Sequence, residues 1–385
     1  MKSLINRYES KLKEQGLCDN DILIADADNA GFVTNKSHDR CSSLFKVLEK
    51  INGKTIIFSG ARDPYRSIIN YISKNADRIC AEDSETRLLL SDIPIIDKFS
   101  VDAVVNSLGN RKCAIVRGEG LLVCGKEGVK EAFLVFSSVC FACYVKFFVD
   151  YYYSAKENKL NDEQKKIFNN AVKEYDKFGE ENKNLSIKNA GPFKNEAKIL
   201  DAMAEAGRLT IESRLVNSFF GNISVRSDDG LYITETGSAL DDLDGHIVKC
   251  SLEDTPCAKA SSELPAHREI YRKTKYNSIL HGHPRFAVIM SMICDDLDCK
   301  FRGECYIKCP KERFINDIPI VPGEVGGGRY GLSNTVPNAI NDKRGVIVYG
   351  HGIFTTGENK DFNKPFQNLL DIERMCFKTY ILQVK

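Results

Sequence analysis

The chain is 385 residues long, 43% hydrophobic and 28% charged, with Lys+Arg 54 against Asp+Glu 53 and a formal net charge of +1. A balance this close to zero offers no general attraction to nucleic acid or to an anionic membrane surface, so neither is expected as a partner. The length suits two domains or one large one, and the composition is that of an ordinary globular protein.

The N-terminus, "MKSLINRYESKLKEQG", lacks the apolar core of a signal peptide. With no such signal, the 14 cysteines are expected to be thiols or metal ligands in a reducing cytoplasm rather than a disulfide framework. Further on come "KTIIFSGARDPYRSIINYI", "SDIPIIDKF" at 91–99 and "IVRGEGLLVCG" at 115–125, then the apolar helical segment "KEAFLVFSSVCFACYVKFF". The uncharged run of 14 residues between Glu131 and Lys146 is shorter than the roughly 20 residues a bilayer span needs, and it reads as a buried helix. Residues 154–190 are rich in Lys, Glu and Asn and read as a linker. Within it, "EQKKIFNNAVKEYDKF" reads as one exposed helix with Ile167, Val172 and Phe178 as its apolar side. The same series then returns: "NDIPIVPGE" at 316–324, "IVYGHGIFTTG" at 347–357, and the helical "FQNLLDIERMCFKTYIL". The two Gly-rich stretches lie 232 residues apart, and one carries Glu119 where the other carries His351. Agreement in order and spacing over several elements reads as an internal duplication, with copies at 1–153 and 191–385.

The chemistry-bearing residues lie in the second copy. Five of the six histidines are there: His246, His267, His281, His283 and His351. "NSILHGHPRF" sets His281 and His283 two apart after an apolar run, and on an extended segment such residues point to one side. "ASSELPAHREIYRKT" opens like a helix, with Ser261 or Ser262 as N-cap and Glu263 in the first turn. Taken alone, these features also describe a hydrogen-bonded histidine pair and a carboxylate favoured by the helix dipole. "CDDLDCKFRGECYIKC" gathers Cys294, Cys299, Cys305 and Cys309 with gaps of four, five and three residues. Four thiols this close read as a tetrahedral all-cysteine site for a second, structural Zn2+, ahead of an iron–sulfur cluster, whose spacings they do not match. Lys300, Arg302 and Lys308 are interleaved where they offset the thiolate charge. The alternative is four thiols without a metal.

The series "FFGNISVR", "ITETG" (233–237), "SSE" (261–263), "HGH" (281–283) and "GHG" (350–352) resembles the class II aldolase/adducin family in order and spacing. The resemblance implies an α/β fold: two three-layer α/β/α domains, each with a mainly antiparallel central sheet. It implies a divalent metal, most often Zn2+, on His281, His283 and His351, with Glu263 as fourth ligand or acid/base. A phosphate pocket would comprise Asn222, Thr236, Gly237, Ser261 and Ser262. Where the family commonly reads Thr-Pro-Thr-Gly this chain reads "TETG", which sets Glu235 beside that pocket and counts against a phosphorylated substrate. His246 and His267 match no ligand position and are expected on the surface or on a helix.

The implied function is a metal-dependent carbon–carbon lyase acting on a small sugar or sugar phosphate through a metal-stabilised enediolate, with Glu263 moving the proton, in a cytoplasmic homo-oligomer. The alternatives are an epimerase, dehydratase or decarboxylase at the same site, or a non-catalytic adducin-like interaction protein. In the first copy Phe58 and Gly60 stand near the places of His281 and His283, Leu44 near that of Glu263, and Glu119 at that of His351. That copy is expected to keep the fold without the metal, as a degenerate pseudo-domain.

Overall fold

The computed structural model describes residues 2–28, 31–181, 185–189, 191–193, 195–216, 219–309, 311–323 and 328–385. The end of the loop that begins at "DIPIVPG", residues 324–327, thus lies outside the described residues. The chain forms two compact units, Met1–Lys177 and Phe178–Lys385.

The first unit runs α1 (Lys2–Glu14), β1 (Leu23–Asp28), β2 (Gly31–Thr34), α2 (Cys41–Ile51), β3 (Thr55–Ser59), α3 (Tyr65–Ser73), β4 (Arg78–Cys80), α4 (Ser84–Leu90), β5 (Asp92–Ile96), α5 (Val101–Leu108), β6 (Cys113–Val116), β7 (Gly120–Gly125), α6 (Val129–Lys156) and α7 (Asp162–Glu181), the last of which crosses the boundary. Its sheet has the order β2-β1-β3-β7-β6-β5-β4. Every pair is antiparallel except β5 with β6. β3, "TIIFS", is buried at all five positions, which is why it reads as a continuous run rather than an alternating one. Leu44, Val47 and Leu48 of α2 and Val104 and Leu108 of α5 cover the face bearing Ile56, Phe58, Ala114, Val116 and Leu122. α6 lies on the other face, where a Cβ at Gly125 would collide with Ala132.

α6 is apolar around its whole circumference, the mark of a core helix. Among the described residues it is the one helix long and apolar enough to cross a bilayer, but 89% of its most apolar window is buried. The segment 154–190, expected as a linker with one exposed helix, holds the boundary between the units and a helix, but that helix is packed rather than exposed. α6 extends to Lys156, and α7 buries Ile167, Phe168 and Ala171, with Phe168 stacked on Tyr151 at 4.0 Å. The buried stripe is therefore offset from the expected Ile167, Val172 and Phe178, because packing against α6 favours the two large neighbours at 167 and 168.

The second unit runs α8 (Glu196–Glu212), β8 (Asn222–Ser227), β9 (Gly230–Thr234), β10 (Ile247–Cys250), α9 (Leu264–Lys273), β11 (Ser278–Gly282), α10 (Arg285–Met292), β12 (Arg313–Ile315), β13 (Ile318–Val321), α11 (Leu332–Ala339), β14 (Gly345–Val348), β15 (Gly352–Gly357) and α12 (Asn363–Val384). Its sheet has the order β10-β9-β8-β11-β15-β14-β13-β12, again with one parallel pair, β13 with β14. α9 and α11 pack on the face of Ile279, Val346, Val348 and Phe354. α12 takes the opposite face, since Cβ atoms at Gly282 and Gly345 would meet its Leu369 and Ile372.

One expectation about the cysteines is corrected here. Cys250, at the end of β10, is joined to Cys257 in a disulfide. The loop after β10 folds back toward α9 and brings the two Cα atoms to 6.3 Å, within bridging range. The other twelve cysteines stand outside any disulfide.

Candidate functional site

β11 is central in its sheet, so His281 is flanked on both sides, across from Asn222 of β8 and from Phe354 of β15. Its ring stacks on Phe354 at 4.0 Å, and Nδ1 lies 2.9 Å from the Ile353 carbonyl oxygen. A carbonyl only accepts, so Nδ1 carries a hydrogen and Nε2 is the nitrogen turned toward the other two imidazoles. This outer hydrogen bond fixes the ring as it does for many metal-ligating histidines. His283 follows at the strand end with its ring stacked on Phe220, and its Nε2 lies 2.9 Å from Nε2 of His281. His351 sits in the turn between β14 and β15. Gly350 makes that turn with φ 60, a left-handed conformation that suits glycine. Gly352 lets the turn close on β11, since a Cβ there would run into the Gly282 carbonyl and the His281 ring.

One ligand atom from each of His281, His283 and His351 lies within 4.8 Å of the others, and all three rings are buried. Among the described residues this is the one group of three or more His, Cys, Asp or Glu side chains so arranged. Glu263 stands beside it. It is the N-cap of α9, not a first-turn residue, and Ser261 Oγ instead accepts from the Glu263 backbone N–H at 3.3 Å. Pro265 in the first turn starts the helix there. The Glu263 carboxylate accepts from His351 Nε2 at 2.8 Å and from Asn222 Nδ2 at 2.7 Å, and lies 3.5 Å from His281 Nε2. Burial by itself would raise this carboxyl; the charge of His281, the hydrogen bond and charge of His351 and the Asn222 amide outweigh it and hold the group well below the usual carboxylate range. His283 is held well below its ordinary value by burial first and then by its two neighbouring imidazoles. Buried imidazoles converging beside an ionised carboxylate are a donor set that fits Zn2+ or a similar divalent ion.

The residues expected to bind phosphate fall in two places. Thr236 donates its backbone N–H to the Lys259 carbonyl at 3.0 Å, and Ser261 donates to Thr234 at 3.0 Å. The Thr236–Gly237 turn and the Ser261–Ser262 segment are thus neighbours. The Asn222 side chain instead turns to Glu263. Glu235, expected to threaten a phosphate, is engaged by His246 at 3.1 Å and Lys259 at 3.7 Å. His246 is exposed and His267 lies on helix α9, as expected of residues outside the ligand set, though the latter points inward. It is completely buried, with Nδ1 2.6 Å from Ser224 Oγ, which also meets the Tyr271 hydroxyl at 2.6 Å. Burial pushes its imidazole down to about 3, so it is neutral and edges onto Phe354 behind His281. Sequence reasoning missed Phe354, Phe220 and the Asn222–Glu263 contact, and nothing local announces them. The cysteine cluster is not gathered: no three of Cys294, Cys299, Cys305 and Cys309 bring their sulfurs within 4.8 Å of one another. Closeness in sequence does not by itself bring sulfurs within ligand distance of one another.

The profile of the Class II Aldolase and Adducin N-terminal domain matches residues 201–380. An L-fuculose phosphate aldolase of Methanococcus maripaludis is 29% identical over 173 residues, covering 42% of this chain and 85% of that protein. Another, of Methanococcus vannielii, is 30% identical over 148 residues, covering 36% of this chain and 72% of that protein. Among solved structures, the L-fuculose-1-phosphate aldolase of Thermus thermophilus is 24% identical, covering 49% of this chain and 93% of that chain at a TM-score of 0.39. Through its C-terminal half, the chain belongs to the class II aldolase and adducin family.

Proposed function

We propose that the second unit is a metal-dependent aldolase-type lyase acting on a small sugar phosphate or similar hydroxylated carbonyl compound. The observation that supports it is the buried convergence of His281, His283 and His351 beside an ionised Glu263. A divalent ion bound to the three imidazoles supplies Lewis-acid stabilisation of negative charge developing on substrate oxygens. Glu263 then holds or moves the proton at its Oε1 and Oε2, and Asn222 orients it. The Thr236–Gly237 turn and Ser261–Ser262 would bind an anionic group through backbone N–H and hydroxyl donors. Because Glu235 is already paired with His246 and Lys259, its charge is no longer an argument against a phosphate. The names of the relatives favour L-fuculose phosphate as the first compound to try. An epimerase, dehydratase or decarboxylase would use the same residues, and product analysis separates them. A homo-oligomer remains part of the proposal.

We read the first unit as a diverged copy of the second. Among the described residues its strand order is the same, with no counterpart of β10. The registers agree too: Val116 pairs with Gly120 as Val348 pairs with Gly352, and Ile96 with Val116 as Val321 with Val348. The test is to measure bound metal and to screen phosphorylated and free sugars for cleavage with added Zn2+, Mn2+ or Co2+. About one ion per chain is expected, lost in His281→Ala and His351→Ala and kept in Glu119→Ala. Unchanged metal content in His351→Ala would refute the site.

A further inference from the structure

In the first unit the position of Glu263 belongs to Arg40. Spacing alone points to Leu44, but Leu44 is a core residue of α2, while Arg40 is the N-cap of α2 as Glu263 is the N-cap of α9. α2 and α9 each cover the equivalent face of their own sheet. The strand registers place the other three positions. Phe58 pairs with Leu122 as His281 pairs with Phe354, so Phe58 holds the place of His281 and Gly60 that of His283. Glu119 lies in the turn between β6 and β7 as His351 lies between β14 and β15.

Three of those four positions touch one another, and the fourth faces a carboxylate of the same unit. The Arg40 guanidinium is ion-paired with Glu119 and lies 5.0 Å from the ring centre of Phe58 and 4.9 Å from that of Phe99. At Gly60 a side chain would run into the Asp19 carboxylate, which is itself paired with Arg66. A guanidinium stays protonated at any physiological pH, offers no lone pair to a metal, and gains from both a carboxylate and an aromatic face.

We propose that in the N-terminal unit the guanidinium of Arg40 has taken the place of the divalent cation, making a permanent, metal-independent cation centre held by Glu119, Phe58 and Phe99. This rests on reading the two units as copies. It explains how the unit keeps the family's sheet and hairpin without its histidines: the charge that a metal supplies to that turn comes from the chain itself. It also disfavours divalent ions in that unit, because the guanidinium occupies the Glu119 carboxylate and repels a second cation.

The test restores three of the four ligand positions in the full-length chain, leaving Gly60, where a side chain would meet Asp19. In a His281→Ala/His283→Ala background, which empties the second unit, Arg40→Glu, Phe58→His and Glu119→His are introduced together. Bound metal is measured after Co2+ or Zn2+ loading and dialysis, with the Co2+ absorption spectrum as a signature of coordination. The background is expected to hold no ion and the restored variant about one per chain. A restored variant with wild-type circular dichroism but no bound ion would overturn the proposal. If that variant does not fold, Arg40→Met and Arg40→Met/Glu119→Met decide. The single change leaves Glu119 without its cation and should lower Tm, and the double change should recover most of the loss. A double variant no more stable than the single one overturns the proposal. A wild-type chain without metal would instead count against the C-terminal site, and the gain in the emptied background would still be readable.

Discussion

Glu263 can be changed in two ways that the structure separates. In Glu263→Ala, the N–H of His351 and that of Asn222 both lose their acceptor inside a buried site. At about 1–3 kcal/mol for each unsatisfied donor the cost is about 2–6 kcal/mol. In Glu263→Gln the new amide oxygen still accepts from His351. The Asn222 amide can turn over, because its Oδ1 has no partner to lose, and so offer that oxygen to the new amide N–H. What disappears is the charge assistance, about 1 kcal/mol per bond, partly offset by no longer burying a carboxylate. For a unit of this size about 2–4 °C in Tm corresponds to each kcal/mol. The Ala variant should therefore melt about 4–24 °C lower, and the Gln variant no more than about 8 °C lower. Thermal unfolding is followed in chelator-treated protein, so that metal binding does not contribute. With a substrate in hand, the Gln variant should also lose about a hundredfold or more in rate, since the amide cannot take up the proton. Equal melting losses in the two variants, or wild-type turnover in Glu263→Gln, would refute the assignment.

Asn222→Leu removes a hydrogen bond that lowers the Glu263 carboxyl, so the acid limb of the pH–rate profile should move to higher pH; an unmoved limb would mean the amide does not tune the base. His267 has its folded value depressed from 6.5 to about 3, so its contribution to stability is present above pH 6.5 and is lost as pH falls toward 3. Relative to His267→Gln, the wild type should lose about 1.4 kcal/mol per pH unit in that window, about 2 kcal/mol between pH 6.5 and 5, measurable by urea unfolding. Peptide mapping without reductant should find Cys250 joined to Cys257, while Cys294, Cys299, Cys305 and Cys309 alkylate in the native protein and no second metal ion is found. Cys305 should be slowest, because burial, then the neighbouring Cys309, raises its thiol.

Features written in short-range spacing were legible in the sequence. His281 and His283 two apart on a strand, the glycines around His351, and the carboxylate at the start of α9 each follow from backbone periodicity or turn chemistry within a few residues. The recurring "DIPI" and "IV" strands likewise announced two similar sheets, because strand length and buried-run character are local properties. The tertiary structure alone decided what remote segments do to one another. Asn222 turned to Glu263 because β8 pairs with β11 in a register that sets it across from His281. His267 went inside because α9 lays that side against Ser224 and Phe354. Cys250 met Cys257 while the denser cysteine cluster stayed apart, since reach between sulfurs depends on how loops fold and not on their count. Arg40, unremarkable in the sequence, became the centre of a cluster once the fold placed Phe58, Phe99 and Glu119 beside it. Local chemistry chooses an element, but register and packing choose its neighbours, and the character of each site lies in those neighbours.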